Sequence, residues 1–353
     1  MAKEFKVLGM MSGTSLDGMD LALVHLAPQP PYSFAVSAAT TIAYPQAWQE
    51  RLRYRSQLSA PQLLSLNADY SHFLAKQIKN YLSQLSHTPN LIAMHGHTYY
   101  HRPQEGYTFQ LGNGAVVARR TGIATVSDFR SQDVALGGQG APLVPVGDVH
   151  LFSQYDACLN LGGFSNISLL REQPVQAFDI SPLNMALNYL AQRAGKSYDH
   201  NGQIARRGQV QQSLYQQMNA LPYYRLSPPK SLGAEWFEEH FKPLLQQDYS
   251  LADLMATVVQ HVAHQIVVVV QEHKLQKVLL TGGGAYHRHL RKVLEKLQPH
   301  VWCFPEPEVI DYKEAIIFAF MGMLRFQQKI NVLSSVTGAM VDHSAGIVHL
   351  PQG

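Results

Sequence analysis

Three short stretches of this sequence gather residue types that hold anions. In MSGTSLDGMD, residues Ser12, Gly13, Thr14, Ser15, Leu16, Asp17, Gly18, Met19 and Asp20 lie between two apolar runs. NLGGFSN supplies Gly162, Gly163 and Asn166, and LLTGGGA supplies Gly282, Gly283 and Gly284. Turns built from glycine and hydroxyl residues bring the main chain close to a ligand and offer backbone N–H groups to an anion. The first turn lacks the Gly-Lys-Ser/Thr ending of a P-loop. It also leads into a strand and not a helix, which excludes the dinucleotide fingerprint. Asp17 and Asp20 would repel phosphate unless a divalent cation sits between them. Mg²⁺, which takes few carboxylates and keeps water and phosphate oxygens, suits that arrangement. A tight hairpin with solvent-facing polar residues would explain one glycine and an aspartate, but explains less well the run of small residues. The third turn ends a strand and opens a helix. It presents free N–H groups to an anion and a bare surface to a flat base.

Elements must bring these turns together. The chain has 353 residues, 46% hydrophobic and 15% charged, with a net charge of +3. That is the composition of a globular protein large enough for two domains. Apolar patterning predicts strands over 5–11 and 19–26, a helix within 61–85, a strand over 91–94, a helix near 115–120 and a strand over 125–128. Clustered glycines and prolines over 131–148 read as a loop, with the domain crossing and a hinge near 137–140. Residues 156–170 repeat the pattern of the opening stretch, strand, glycine turn, strand, which suggests duplication. Helices are expected over 184–193, 210–218, 251–273 and 315–327. Three glycine turns around one nucleotide imply an α/β, two-domain layout with a central cleft, that of actin, sugar kinases and heat-shock ATPases. The expected domains are 1–131 with 333–353, and 132–332.

Other features are bland. Cys158 and Cys303 sit in apolar runs without a CxxC partner and read as buried small hydrophobes. The basic cluster His287, Arg288, His289, Arg291 and Lys292 reads as a solvated helix face, so no nucleic-acid partner is expected. The N-terminal run does not read as a signal peptide, and the longest apolar run, 266–270, is too short to span a bilayer. A cytoplasmic protein without a membrane partner is expected.

The motifs MSGTSLDGMD, HGHT, DFRSQDVALGGQGAPLVP, NLGGFSNIS, FDISPLN, GKSYDHNG, PKSLG, LLTGGGA, EAIIFAF and SVTGA, in this order, resemble those of the anhydro-N-acetylmuramic acid kinases of peptidoglycan recycling. The resemblance covers nearly the whole chain. It implies a reaction in which water opens the 1,6-anhydro bridge and the freed O6 takes the γ-phosphate of ATP, with Mg²⁺ present. It implies that residues 13–20 and Gly162, Gly163 and Asn166 hold the phosphates, that residues 282–284 flank the adenosine, and that Mg²⁺ is held through the phosphates, with Asp17 or Asp20 reaching it through water. It also implies that Asp179 is the general base and Glu314 a second catalytic group, that His95, Arg130 and Asn184 bind the sugar, and that the protein tends to dimerise. Without the resemblance, Asp179 reads as a cap for the helix beginning near Asn184, Arg130 as a salt-bridge residue, and Glu314 as a first-turn glutamate favoured by the helix dipole. His95, His97 and His101 match no zinc spacing.

Three departures fall in segments expected to face the sugar. The family's D-T-G-P-G-N is D-I-S-P-L-N here, with Ile180, Ser181 and Leu183 as replacements. Asn113 stands where an aspartate is usual, and His97 where a glutamine is usual. If the two lost glycines carried positive φ, serine and leucine would strain the turn. Two further readings stay open at this level. One is a kinase of a different anhydro or amino sugar. The other is a nucleotide- and sugar-binding homologue that has lost its chemistry and serves regulation.

Overall fold

Phe5–Ser12 (β1) and Gly18–Leu26 (β2) form the antiparallel hairpin that their apolar runs demand, with Met11 opposite Asp20. The computed structural model describes residues 4–13, 16–53 and 58–351, so Thr14 and Ser15 lie outside the described residues. Phe34–Ala43 (β3) pairs with β2, and Leu91–Arg102 (β4) runs parallel to β1. Tyr107–Leu111 (β5) folds back on β4, and Thr125–Ser127 (β6) lies parallel to it. Helix Ala60–Leu82 carries Leu66, Tyr70, Leu74 and Ile78 at four-residue spacing. That stripe packs in one core with Leu8, Met10 and Leu21 of the hairpin.

A second sheet follows. Ala157–Leu161 (β7), Phe164–Leu169 (β8) and Gln176–Pro182 (β9) form an antiparallel meander. Val278–Thr281 (β10) lies parallel to β7, and Trp302–Cys303 (β11) parallel to β10. The last strand, Ile347–His349 (β12), returns to the first sheet beside β6. The strand orders are β12-β6-β4-β1-β2-β3 and β11-β10-β7-β8-β9. Setting β5 and β12 aside, both sheets read the same way. Each is a three-stranded meander with two further strands added parallel to its first. The echo heard in the glycine turns is thus a repeat of topology.

The chain divides into two units, Met1–Leu151 with Tyr312–Gly353, and Phe152–Asp311. The boundaries expected at 131/132 and 332/333 therefore move. Residues 131–148 are not a linker: they contain helices Ser131–Ala135 and Pro145–Leu151. The return crossing lies inside helix Pro307–Phe326, which begins eight residues before the expected start. Gly147 packs so closely on Ile317 that a Cβ there would lie 2.5 Å from its side chain, which ties this segment to the first unit.

The glycines at 137–140 are no hinge either. They wrap the buried Asp133, whose Oδ2 accepts the Gly140 N–H at 2.6 Å and whose Oδ1 accepts the Thr337 hydroxyl at 2.7 Å. Helix Leu251–Glu272 is long and apolar enough to cross a membrane. However, 72% of its most apolar window is buried within the protein, where Leu254, Val258, Val262 and Ile266 join the second core. Cys158 is buried and Cys303 half-buried, and both are free thiols.

Candidate active site

In each unit the candidate residues gather where parallel strands end, the position that open α/β sheets use for ligands. In the first unit, β1 ends at Ser12. Its buried hydroxyl meets the Tyr44 hydroxyl at 2.8 Å and Nδ1 of His97 at 3.1 Å, and Tyr44 bonds onward to the hydroxyl of Tyr70. This support under the glycine turn leaves no trace in motif spacing. His97, expected to face the sugar, is fully buried in it.

Among the described residues of the turn the left-handed conformation falls on Leu16, at φ 61°, and not on Gly18. Gly18 is needed for another reason: a Cβ there would sit 2.6 Å from the Ile42 carbonyl of β3. Leu16 and Met19 are core residues, so their side chains serve the fold. Asp17 is exposed, and half-buried Asp20 accepts the Thr41 hydroxyl at 2.6 Å.

His95 and Arg130 form a second group in this unit. His95 Nδ1 donates to the Gly96 carbonyl at 2.9 Å, so its Nε2 accepts from Arg130 Nε at 2.8 Å. Burial and the Arg130 charge push its pKa well below the usual histidine range, and it stays neutral. Burial also lowers Arg130 to about 10, while Glu314 and Asp133 pull it upward. Glu314 is raised by burial, and Arg130 and Lys313 oppose that shift. The structure thus joins Arg130, His95 and Glu314 electrostatically. Glu314 lies eight residues into its helix, so the helix-dipole explanation fails. Asn113 has a plain job: its side chain caps helix Gly114–Thr121 by accepting the Ala115 N–H at 2.9 Å. Aspartate and asparagine cap equally well. Asn113→Asp is therefore expected to leave thermal stability within a few tenths of a kcal/mol, and Asn113→Ala to cost about 1 kcal/mol.

In the second unit the β7–β8 turn spends its carbonyls on the helix that follows. Gly163 O accepts from Leu183 N–H at 2.9 Å and Met185 N–H at 3.1 Å, and Gly162 O accepts from Asn184 N–H at 3.2 Å. Among the described residues, the amides of Gly162 and Gly163 make no backbone hydrogen bond outside the strand ladders, which leaves them as donors for an anion. Of the three glycines after β10, Gly282 takes φ 79° and Gly284 packs against Leu161, while Gly283 is exposed and open. They enter a short 3₁₀ turn, Gly283–Tyr286, and the helix proper starts at Arg288. Asn184 donates to the Leu161 carbonyl at 3.0 Å, with its amide nitrogen beside Gly283. That places it next to the two glycine turns.

Asp179 stands directly across the β8–β9 ladder from Asn166. The register slips there, leaving Ile180 as a bulge between the Asn166–Asp179 and Ser165–Ser181 pairs. Bulges re-aim neighbouring side chains and recur beside active sites. Asp179 caps no helix: its Oδ2 accepts the Leu232 N–H at 2.8 Å, and Tyr223 donates to its carbonyl oxygen at 2.6 Å. Burial raises its carboxyl above the ordinary aspartate range, and the Leu232 N–H opposes the rise. Neither Ser181 nor Leu183 takes positive φ, so the feared strain is absent. Ile180 and Leu183 are in the core. Ser181 meets the Tyr224 hydroxyl at 3.1 Å, and Tyr224 bonds to His261 at 2.8 Å. Burial, with a smaller push from His264, holds His261 down at about 3, so this network is neutral.

A duplicated strand order, with glycine turns at the ends of its parallel strands, defines the actin-like ATPase and sugar-kinase class. Within that class the family model for anhydro-N-acetylmuramic acid kinase matches residues 5–351, and the chain belongs to this family. The anhydro-N-acetylmuramic acid kinase of Crocosphaera subtropica is 33% identical, with 98% of each chain covered. That of Vibrio parahaemolyticus is 34% identical, with 97% of each covered. Among solved structures, the (R)-2-hydroxyglutaryl-CoA dehydratase component A of Acidaminococcus fermentans aligns at TM-score 0.44 and 12% identity, over 90% of this chain and 98% of that one. That likeness is too loose to bear on the fold.

Proposed function

We propose that this chain is an ATP-dependent kinase that opens the 1,6-anhydro bridge of 1,6-anhydro-N-acetylmuramic acid. It phosphorylates O6, giving N-acetylmuramic acid 6-phosphate and ADP in cytoplasmic cell-wall recycling. The observation that carries this reading is Asp179, a carboxylate with a raised pKa, oriented by a backbone N–H and set opposite Asn166 of the glycine turn. Asp179 takes a proton from water as the water oxygen bonds to the anomeric carbon. The C1–O6 bond breaks, O6 keeps the electron pair, and it attacks the γ-phosphorus as ADP leaves.

In this reading residues 13–20, and Gly162, Gly163 and Asn166, serve the phosphates, and residues 282–284 serve the adenosine. Phosphoryl transfer asks for positioning and charge neutralisation more than covalent help, which backbone-rich turns provide. Among the described residues no three His, Cys, Asp or Glu side chains come together as a metal site. Asp17 and Asp20 are the carboxylates of this turn, and would reach Mg²⁺ through water while phosphate oxygens hold it. The ion would neutralise the triphosphate. His95, neutral and fixed by Arg130, joins Arg130 and Glu314 in receiving polar groups of the sugar; in the second unit Asn184, beside Gly283, is the further sugar-binding candidate.

The replacements Ile180, Ser181 and Leu183 are buried, in the core or its polar network. They therefore support the parent sugar over a different one. Purified protein with ATP, Mg²⁺ and the anhydro sugar is expected to yield the 6-phosphate, identified by mass and ³¹P NMR. Turnover only with another anhydro or amino sugar would replace the substrate. ADP binding without turnover on any sugar would leave a regulatory homologue.

A further inference from the structure

The basic cluster after the third glycine turn divides: Arg288 and Lys292 are exposed, as a solvated helix face demands, while His287 is buried and His289 and Arg291 are half-buried. His287 turns inward and caps helix Arg288–Leu297, its Nδ1 accepting the Leu290 N–H at 3.1 Å. Arg291 lies over the ring of Phe304 at 3.5 Å. The remaining three, Arg288, His289 and Lys292, line a cavity of about 250 Å³ together with Arg206, Asn201 and Gln203.

The chemistry of that lining is one-sided. It holds three permanent cations, a histidine and two amides, and no carboxylate. Among the described residues, none of the six side chains has a hydrogen bond or ion pair. The carboxylate that acts on this cluster, Asp199, is buried and spends its oxygens on the N–H groups of Ile204 at 2.8 Å and Ala205 at 3.0 Å. Burial lowers the His289 pKa, Asp199 opposes that shift, and Arg206 and Lys292 lower it further. Among the described residues, the N–H groups of Arg288 and His289, at the positive end of the helix, have no backbone acceptor outside their own helix.

The turn that completes the wall is packed against the helix. Gly202 takes φ 69°, and a Cβ there would lie 2.7 Å from that of His289. Arg206 and Lys292 both push on His289, and an entering anion relieves that repulsion. Arginine and lysine together favour phosphate oxygens. The volume falls below the range of drug-sized ligands, and the site is open to solvent, which suits a small anion.

We infer that this cavity is a binding site for a small anion carrying one or two phosphate groups, built from residues other than those assigned to ATP. The site belongs to the second unit alone and does not depend on the kinase reading.

Calorimetric titration of the full chain with inorganic pyrophosphate, in phosphate- and sulfate-free buffer at low ionic strength, tests it. Wild type is expected to bind, and to keep binding when saturated with ADP. The double variant Arg288→Gln/Lys292→Gln is expected to weaken pyrophosphate binding at least about tenfold, the loss of charge-assisted hydrogen bonds, and to keep its ADP affinity. Its melting temperature without anion is expected to equal or exceed that of wild type, because two repelling charges are gone. Arg206→Gln, on a different turn, is expected to repeat the loss of pyrophosphate affinity, and stands in should the double variant fail to fold. Undiminished binding by these variants, or no binding by wild type, overturns the inference. Loss of binding in the presence of ADP also overturns it, since the anion would then occupy the nucleotide site.

Discussion

Asp179→Asn is expected to lower turnover by at least about 10²-fold, the lower end for a lost general base, while ADP affinity stays unchanged. Asparagine keeps the size of the side chain and its oxygen can still accept the Leu232 N–H, so only proton acceptance is removed. The pH dependence gives a second readout. A base works in its ionised form, and burial has raised this carboxyl. Activity therefore falls as pH drops through the raised value, on an acidic limb placed above the ordinary aspartate position, and the variant lacks that limb. The linkage sign separates this loss from unfolding. A raised folded-state pKa means that the folded protein binds this proton more tightly than the unfolded chain does. Asp179 thus lowers stability as pH rises from the ordinary aspartate value through the raised one. Removing its charge is expected to leave the variant at least as stable as wild type at neutral pH, as thermal denaturation will show.

Asp133→Ala is expected to destabilise the full chain by about 3–5 kcal/mol, the range for removing one partner from a buried charged network. Asp133 is fully buried and holds the Gly140 N–H and the Thr337 hydroxyl on its two oxygens. Truncation leaves the Gly140 N–H buried and unsatisfied, at about 1–3 kcal/mol, and the Thr337 hydroxyl with only its long 3.5 Å bond to the Leu333 carbonyl. It also frees the tightly wrapped glycines at 138 and 140. Urea denaturation measures the effect as a lower midpoint. Asp133→Asn keeps one acceptor oxygen and is expected to lose less than alanine. Equal losses would mean that the packing around 137–140, and not these hydrogen bonds, holds the segment.

Much of the fold was legible because hydrophobic periodicity is local. The helix within 61–85 and the helix from 251 announce themselves by apolar residues three and four apart, and the β1–β2 hairpin by two apolar runs around a polar turn. The half-buried strands β3 and β5 left weaker patterns, and β9 lay hidden in a segment read only for its aspartate. The span 131–148 misled because its glycines serve a buried carboxylate that no spacing rule exposes. The same holds for the site. Glycine and hydroxyl content revealed the turns, but the conformation within them did not follow composition: Leu16 takes the left-handed position. Asn113 seemed to be a lost charge, yet it is a helix cap. Ser181 and Leu183 seemed to threaten a turn, yet their backbone avoids positive φ. The group that orients Asp179 is a main-chain N–H, 53 residues away in sequence, and backbone donors carry no sequence signature. Arg288 and Lys292 are exposed, as a solvated face requires; the anion site they line was not legible because Arg206 joins it from a distant turn.

The central claim is that hydrolytic ring opening and phosphoryl transfer are one coupled event, with Asp179 activating the water. A single-turnover reaction in ¹⁸O-labelled water with ATP, Mg²⁺ and the anhydro sugar addresses it directly. The label is expected at the anomeric oxygen of the 6-phosphate product, with none in its phosphate. Label appearing in phosphate instead, with the sugar ring left closed, would show plain ATP hydrolysis and contradict the coupled mechanism.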